Sequence, residues 1–323
     1  MTASARRAPL TESERRALRG LAATLLGAPT AFDAHALPLS LVRRHLIAPL
    51  AYAVGVAAFR TDHIASSLQA ERRAAVATEA LTALAAAGVP VILLKGIAYA
   101  GTLYPDPALR PMSDIDLLVR ATDFITATRT LQRLGYWHTG GAAQLTVTRH
   151  ALTLKRRDGS LDLHRHILHA GRSRIDLDAI WRDARPSHLP GALRPSPLHE
   201  YLLHVAHIGR HEGAVPLVNY IDASRLRALI SPAEGDVLAA AWSISRSSTA
   251  VARAIEELRA TTTPLSGPPL SFPSTDEIFA LSPVPRWLQL IRKVRMVDDW
   301  RGLAGLAAAT VRSRIAPLFR RTD

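Results

Sequence analysis

The chain contains no cysteine, so a disulfide framework, a thiolate metal site and a cysteine nucleophile are all excluded. That absence is compatible with a reducing compartment, and a cytoplasmic location is expected. Lysine is nearly as scarce: Lys95, Lys155 and Lys293 are the whole complement, although the formal net charge is +13. Arginine therefore carries the basicity, and such a surface favours anionic partners: nucleotides, phosphorylated substrates, nucleic acid or acidic lipid. Aromatic residues make up only 5% of the chain, which weighs against stacking recognition of single-stranded nucleic acid. Long apolar runs are missing too. The longest uncharged stretch, Ala80 to Leu94, falls short of the ~20 residues a bilayer requires, and Gly88-Val89-Pro90 breaks it, so no transmembrane segment is expected. Near the N-terminus "LAATLLGAPTAF" imitates a signal peptide, but Glu12, Glu14, Pro29 and the spacing of Leu18, Leu21 and Leu25 read as a helix.

What is present suffices for a sizeable core: 323 residues at 48% hydrophobic content make one large or two modest domains. Thr11 with Glu14 forms a capping-box signature for a helix to about Leu26, followed by helical patterns over Leu39 to His45, Ala51 to Phe59 and His63 to Ala87. From Val89 the texture changes to alternating strand and helix. Val91 to Leu94 reads as a strand, Gly96 to Tyr104 as a short helix, Asp106 to Met112 as a Pro-punctuated loop, and Asp114 to Val119 as a second strand. A helix from about Thr122 to Leu134 stops at Gly135, and Leu145 to Lys155 and Ser160 to Ile167 read as a hairpin turning through Arg157-Asp158-Gly159. Helices return after Pro195.

The expected class is α+β: a small mixed sheet flanked by N-terminal and C-terminal helices. The expected organisation is a helical segment over 1–70, the α+β core over 71–190 and a helical domain over 191–262. A Pro/Ser/Thr-rich linker is expected over 263–285 and a basic amphipathic tail over 286–323.

Within the core, "VILLKGIAYAGTLYPDPALRPMSDIDLLVR" carries the chemistry. Side chains alternate along a strand, so Asp114 and Asp116 share one face while Ile115 and Leu117 take the other. Two carboxylates on one face suit a hard divalent cation that keeps positions open for substrate phosphate. In "SLDLHRHI" the same period puts Asp162, His164 and His166 on one face, and a neighbouring strand would make Asp162 a third carboxylate. A strand ending at Leu94 and turning through Lys95-Gly96 into a helix aims backbone N–H groups at phosphate, with Lys95 as a point charge and Arg110 as a planar fork. Rival readings stand beside these: an ion pair between Lys95 and one aspartate, an ordinary loop role for Arg110, and a half-buried helix face for His204, His207 and His211 with Glu200 a turn earlier.

The order strand, Lys-Gly, helix, Arg loop, Asp-x-Asp strand, helix and hairpin with a third Asp resembles the DNA polymerase β-like nucleotidyltransferase superfamily. "LLKG", "YPDPALRPMSDIDLLV" and "LDLHRHI" look like its family of uncharacterised nucleotidyltransferases. The resemblance implies Mg²⁺-dependent transfer of a nucleoside monophosphate from an NTP, ATP foremost, with pyrophosphate leaving. The acceptor would be a hydroxyl or phosphate on a small molecule or peptide, natural-product tailoring being one setting. It makes Asp114, Asp116 and Asp162 the catalytic metal ligands, and Lys95, Gly96, Arg110 and Ser113 the phosphate side. His164 and His166 would support the acceptor side. The superfamily usually has Gly-Gly or Gly-Ser at the phosphate turn where this chain has Lys95-Gly96, and an aromatic often stands where this chain has Arg165. Two other classes compete: a non-catalytic binding protein on a degenerate transferase scaffold, and an RNA-modifying or nucleic-acid-binding protein.

Overall fold

The computed structural model describes residues 10–138, 150–168, 173–260, 272–281, 285–299, 301–304 and 307. Four helices come first: α1 (Glu12–Leu25), α2 (Leu39–Arg44), α3 (Ala48–Ala53) and the long α4 (Arg60–Ala86). The central part holds β1 (Ile92–Leu94), α5 (Lys95–Tyr99), β2 (Ile115–Leu118), α6 (Phe124–Arg133), β3 (Ala151–Arg156) and β4 (Gly159–His164). Then follow α7 (Leu177–Arg182), β5 (Arg185–Pro186), β6 (Leu193–Arg194), α8 (Pro197–Arg210), α9 (Leu217–Arg227), α10 (Pro232–Ala241), α11 (Ser245–Arg259), α12 (Thr275–Ala280) and α13 (Arg286–Arg295).

Local chemistry explains the boundaries. The Thr11 side chain accepts from the Glu14 N–H while Glu14 caps the Thr11 N–H, the reciprocal box that starts α1. Gly135, at φ +86°, follows α6 in a left-handed conformation that an L side chain rarely adopts. The β3–β4 hairpin closes through Arg157-Asp158 and is pinned to α4: Arg156 bonds both Asp158 and Glu79 and lies 4.5 Å from the Tyr136 ring centroid.

Among the described residues six strands form one mixed sheet in the order β3-β4-β2-β1-β6-β5. β1 runs antiparallel to β2 and parallel to β6, and β2 runs parallel to β4. Strands β1 and β2 are buried along their whole length, which their unbroken Ile/Leu content on both sides of Asp116 requires. α5 packs on β1 and β2, α6 packs on β4 and α4, and α8, α9 and α11 pack on one another, with α1 laid against α11. One buried cluster runs through these elements from Ala17 to Phe279.

Three differences from the sequence reading have physical causes. The second strand begins at Ile115, so Asp114 sits in the bend just before it. The fourth strand ends at His164, and the Arg165 and His166 N–H groups both turn to the His150 carbonyl. Within 263–285, α12 is a capped helix with Ile278 and Phe279 buried, and Arg292 of α13 donates twice to its Glu277. Residues 145–149 and 261–271, and most of 296–323 beyond Asp299, lie outside the described residues.

Candidate active site

Parallel pairing of β2 with β4 sets Asp116 opposite Asp162 and Leu118 opposite His164. Register preserves the face, so the three polar side chains emerge together. One ligand atom each from Asp116, Asp162 and His164 lies within 4.8 Å of the other two. Asp116 is 3% exposed, and its Oδ1 accepts from Lys95 Nζ at 2.6 Å and bonds His164 Nε2 at 2.8 Å. Burial alone would raise the Asp116 pKa, but Lys95 and His164 override it and hold the group well below the usual carboxylate range.

Asp114 stands half-buried one residue before the strand and accepts from the Ser113 hydroxyl at 3.1 Å. Burial, with the negative charges of Asp116 and Asp162, pushes its pKa up against the pull of Lys95. Neither Asp114 nor Asp162 has an ion-pair partner among the described residues. Three carboxylates around one lysine leave negative charge uncompensated in a partly desolvated corner, and the oxygen-rich donor set fits a hard divalent cation.

Lys95 reaches Asp116 because its backbone is left-handed, φ +53°, directly after β1. That conformation costs an L residue about 1–2 kcal/mol. Gly96 is required one residue later for a different reason: a Cβ there would sit 3.0 Å from the Met112 Cβ. The Lys-Gly step therefore lets the start of α5 close against the loop that leads into β2.

Arg110 is not brought to the carboxylates. It is 6% exposed; its Nε lies 2.8 and 3.0 Å from the two Asp222 oxygens, its Nη2 2.7 Å from Oδ2, and its Nη1 donates to the Pro111 carbonyl. Tyr104 donates to the same Asp222 at 2.7 Å. The sequence left Arg110 between a phosphate fork and an ordinary loop role; the structure buries it against Asp222, a pair that ties the loop before β2 to α9. His166 is likewise off the strand face, half-buried, and accepts from the Leu168 N–H at 3.3 Å. Its pKa is lowered mainly by burial. Ser113 is exposed beside Asp114.

A cleft opens next to the cluster, with Lys95, Tyr99 and His164 on one wall. α8 supplies the other through Glu200, Leu203, His204, His207 and Arg210. Those spacings of three, four, seven and ten residues from Glu200 make one helical stripe, so the histidines line the cleft. Among the described residues they form no metal-ligating group. His204 Nε2 donates to the Asn219 carbonyl and its Nδ1 meets the Tyr99 hydroxyl, and burial lowers its pKa. His207, its ring tilted against His204 and edge-on to His211, has its pKa driven well down, mainly by burial. Tyr99, Leu203, Arg210 and Ile167 were not singled out from sequence; the α8 period alone could have found Leu203 and Arg210.

Among curated proteins none matches this chain. A solution structure of the antibiotic-resistance factor ANT(2'')-Ia is similar at 16% identity and a TM-score of 0.39, covering 52% of this chain and 90% of that one. A family profile matches residues 36–241, the span that contains the sheet, the carboxylate cluster and the α8 cleft, and by that match the chain belongs to the family of uncharacterised nucleotidyltransferases.

Proposed function

We propose that the protein transfers a nucleoside monophosphate from an NTP, ATP foremost, to a hydroxyl or phosphate of a small molecule or peptide. Mg²⁺ would be held by Asp114, Asp116 and Asp162. The observation that carries this reading is the β2–β4 register, which sets Asp162 beside Asp116, with Asp114 one bend away and a cleft lined by Lys95 and His164 next to them. When bound, the cation supplies charge neutralisation at the transferring phosphate. His164 orients Asp116 through its Nε2 bond, so the carboxylate presents its remaining oxygen in a fixed direction. Lys95 exchanges Asp116 for the anionic donor, its short flexible reach serving as a point charge. Asp162, in none of the ion pairs among the described residues, would accept the proton of the acceptor hydroxyl or orient it. Tailoring of a natural product suits the family resemblance and the small cleft.

A second reading is favoured by one observation: Lys95 already occupies Asp116 Oδ1, as in a transferase scaffold retained for binding alone. Calorimetry with ATP separates the two. Nucleotidyl transfer requires ATP binding that depends on Mg²⁺ and is lost in Asp116→Asn and Asp162→Asn; ATP binding indifferent to Mg²⁺ and to both substitutions would establish the non-catalytic reading instead.

A further inference from the structure

A second concavity, of about 510 Å³, opens to solvent between α4, the α2–α3 turn, Pro111 and the β3–β4 turn. That volume is ligand-sized, and no residue lining it belongs to the carboxylate cluster. The groove runs along α4 from Asp62 to Arg73, eleven residues or about 16 Å at the helical rise. Such a length takes about five residues of extended chain. Ser66, in its wall, donates its hydroxyl to the Ala108 carbonyl at 2.6 Å, which fastens α4 to the loop that carries Pro111.

Charge is unevenly settled along this groove. At one end Arg43 is satisfied by Asp62, at 2.8 and 3.0 Å. At the other, both oxygens of Asp158 are already taken by Arg156, and Arg72 and Arg73 have no ion-pair partner among the described residues. Arg72 is exposed. Arg73 is half-buried, its Nε and Nη1 make no hydrogen bond, and Nη1 lies 2.5 Å from where a Cβ on Gly159 would stand. Those two nitrogens face protein, so a ligand meets Arg73 through the charge of the guanidinium and through Nη2. A partly desolvated cation without a counter-charge favours an anion. Between the two ends the lining is apolar, with Leu46, Ala48, Pro49 and a Leu68 that is 64% exposed.

We infer that this groove docks an acidic peptide segment in extended form, its carboxylates against Arg72 and Arg73 and an apolar side chain against Leu68. Length, an open wall and an apolar stretch ending in two uncompensated arginines match alternating acidic and apolar side chains better than a compact anion, which would fill only the arginine end. Pro111, on the groove's edge, stands three residues before Asp114, at most about 11 Å along the chain. A docked peptide therefore passes close to the carboxylates. That it is also the acceptor rests on the nucleotidyl-transfer reading; the docking itself does not.

The test is fluorescence anisotropy of a labelled peptide alternating Glu and Leu, with a Lys and Leu counterpart, titrated with the full chain at about 0.15 M salt, where longer-range attraction is screened. The acidic peptide should bind and the basic one should not. Arg72→Gln with Arg73→Gln should weaken binding by about tenfold, the worth of two partly exposed ion pairs, and Leu68→Asp should weaken it too. Arg129→Gln with Arg133→Gln removes the same charge from the exposed side of α6 and should leave binding unchanged; circular dichroism checks the fold of each variant. Equal loss in the two charge-matched variants would reduce the attraction to net charge and overturn the groove, as would equal binding of both peptides or none of the acidic one. Groove-dependent binding of a labelled oligouridine without binding of the acidic peptide would give the groove to nucleic acid and overturn the proposal as well. ATP calorimetry alongside separates the two readings: no docking in a chain that binds ATP with Mg²⁺ overturns the groove alone, whereas docking in a chain that binds no ATP upholds the groove and removes the acceptor role.

Discussion

Removing the Asp222 carboxylate should expose what Arg110 does. Asp222 is fully buried and takes Arg110 through Nε and Nη2 and Tyr104 through its hydroxyl. In Asp222→Ala the guanidinium, itself 6% exposed, keeps its charge with only the Pro111 carbonyl for company. Breaking a buried pair on one side costs about 3–5 kcal/mol. The stranded Tyr104 hydroxyl adds part of a further 1–3 kcal/mol, less than additively because both share one acceptor. For a chain of 323 residues unfolding entropy scales to about 1.5 °C per kcal/mol, so the melting temperature should fall by about 5–8 °C. Removing both charges in Arg110→Met with Asp222→Leu should recover most of that loss, since apolar replacement of a buried pair is often neutral. Scanning calorimetry on the single and double variants, with ATP titrated into each folded protein, is the assay. If Arg110→Met and Asp222→Ala leave the melting temperature unmoved while ATP affinity collapses only in Arg110→Met, the reasoning fails and Arg110 is a phosphate contact.

Three further outcomes are expected. Gly96→Ala, with its new Cβ 3.0 Å from the Met112 Cβ, should destabilise by about 1–3 kcal/mol in urea unfolding; an unchanged midpoint would mean the loop before β2 moves freely. Buried His45, bonded to the Phe279 carbonyl and the Leu217 N–H, has its pKa lowered to about 4, mainly by burial. Its unfolded value near 6.5 is higher, so acidification protonates the unfolded state first and stability should drop from about pH 6.5 toward 4; His45→Gln should flatten that slope in urea titrations at several pH values. Glu200 acts with the opposite sign: its folded pKa of about 7 exceeds the unfolded value near 4.3, so its contribution worsens as pH rises through that window and is constant above it. Glu200→Gln should therefore gain stability relative to wild type at pH 8 compared with pH 4, and parallel pH curves would contradict the burial argument.

What the sequence made legible was whatever a short period could encode. "IDLL", after the Lys-Gly turn and the Arg loop, reads as a strand with an acid on one face, and Asp116 is that acid. The α8 stripe from Glu200 to Arg210 is likewise written in spacings of three and four. Side-chain partners across the fold were not encoded this way. Arg110 finds Asp222 at a separation of 112 residues, and no local pattern distinguishes that pairing from a phosphate contact, because a planar fork serves both. The left-handed Lys95 defeats propensity, since only closure of α5 onto Met112 and the pull of Asp116 offset its strain. β5 and β6 are two residues each, too short for alternation to register. Yet β6 delivers Arg194, which occupies one Glu200 oxygen while the other stays unpaired. The pairing of Glu200 thus depends on a strand that no periodicity announces, whereas Asp116 and Asp162 can be read directly from the chain.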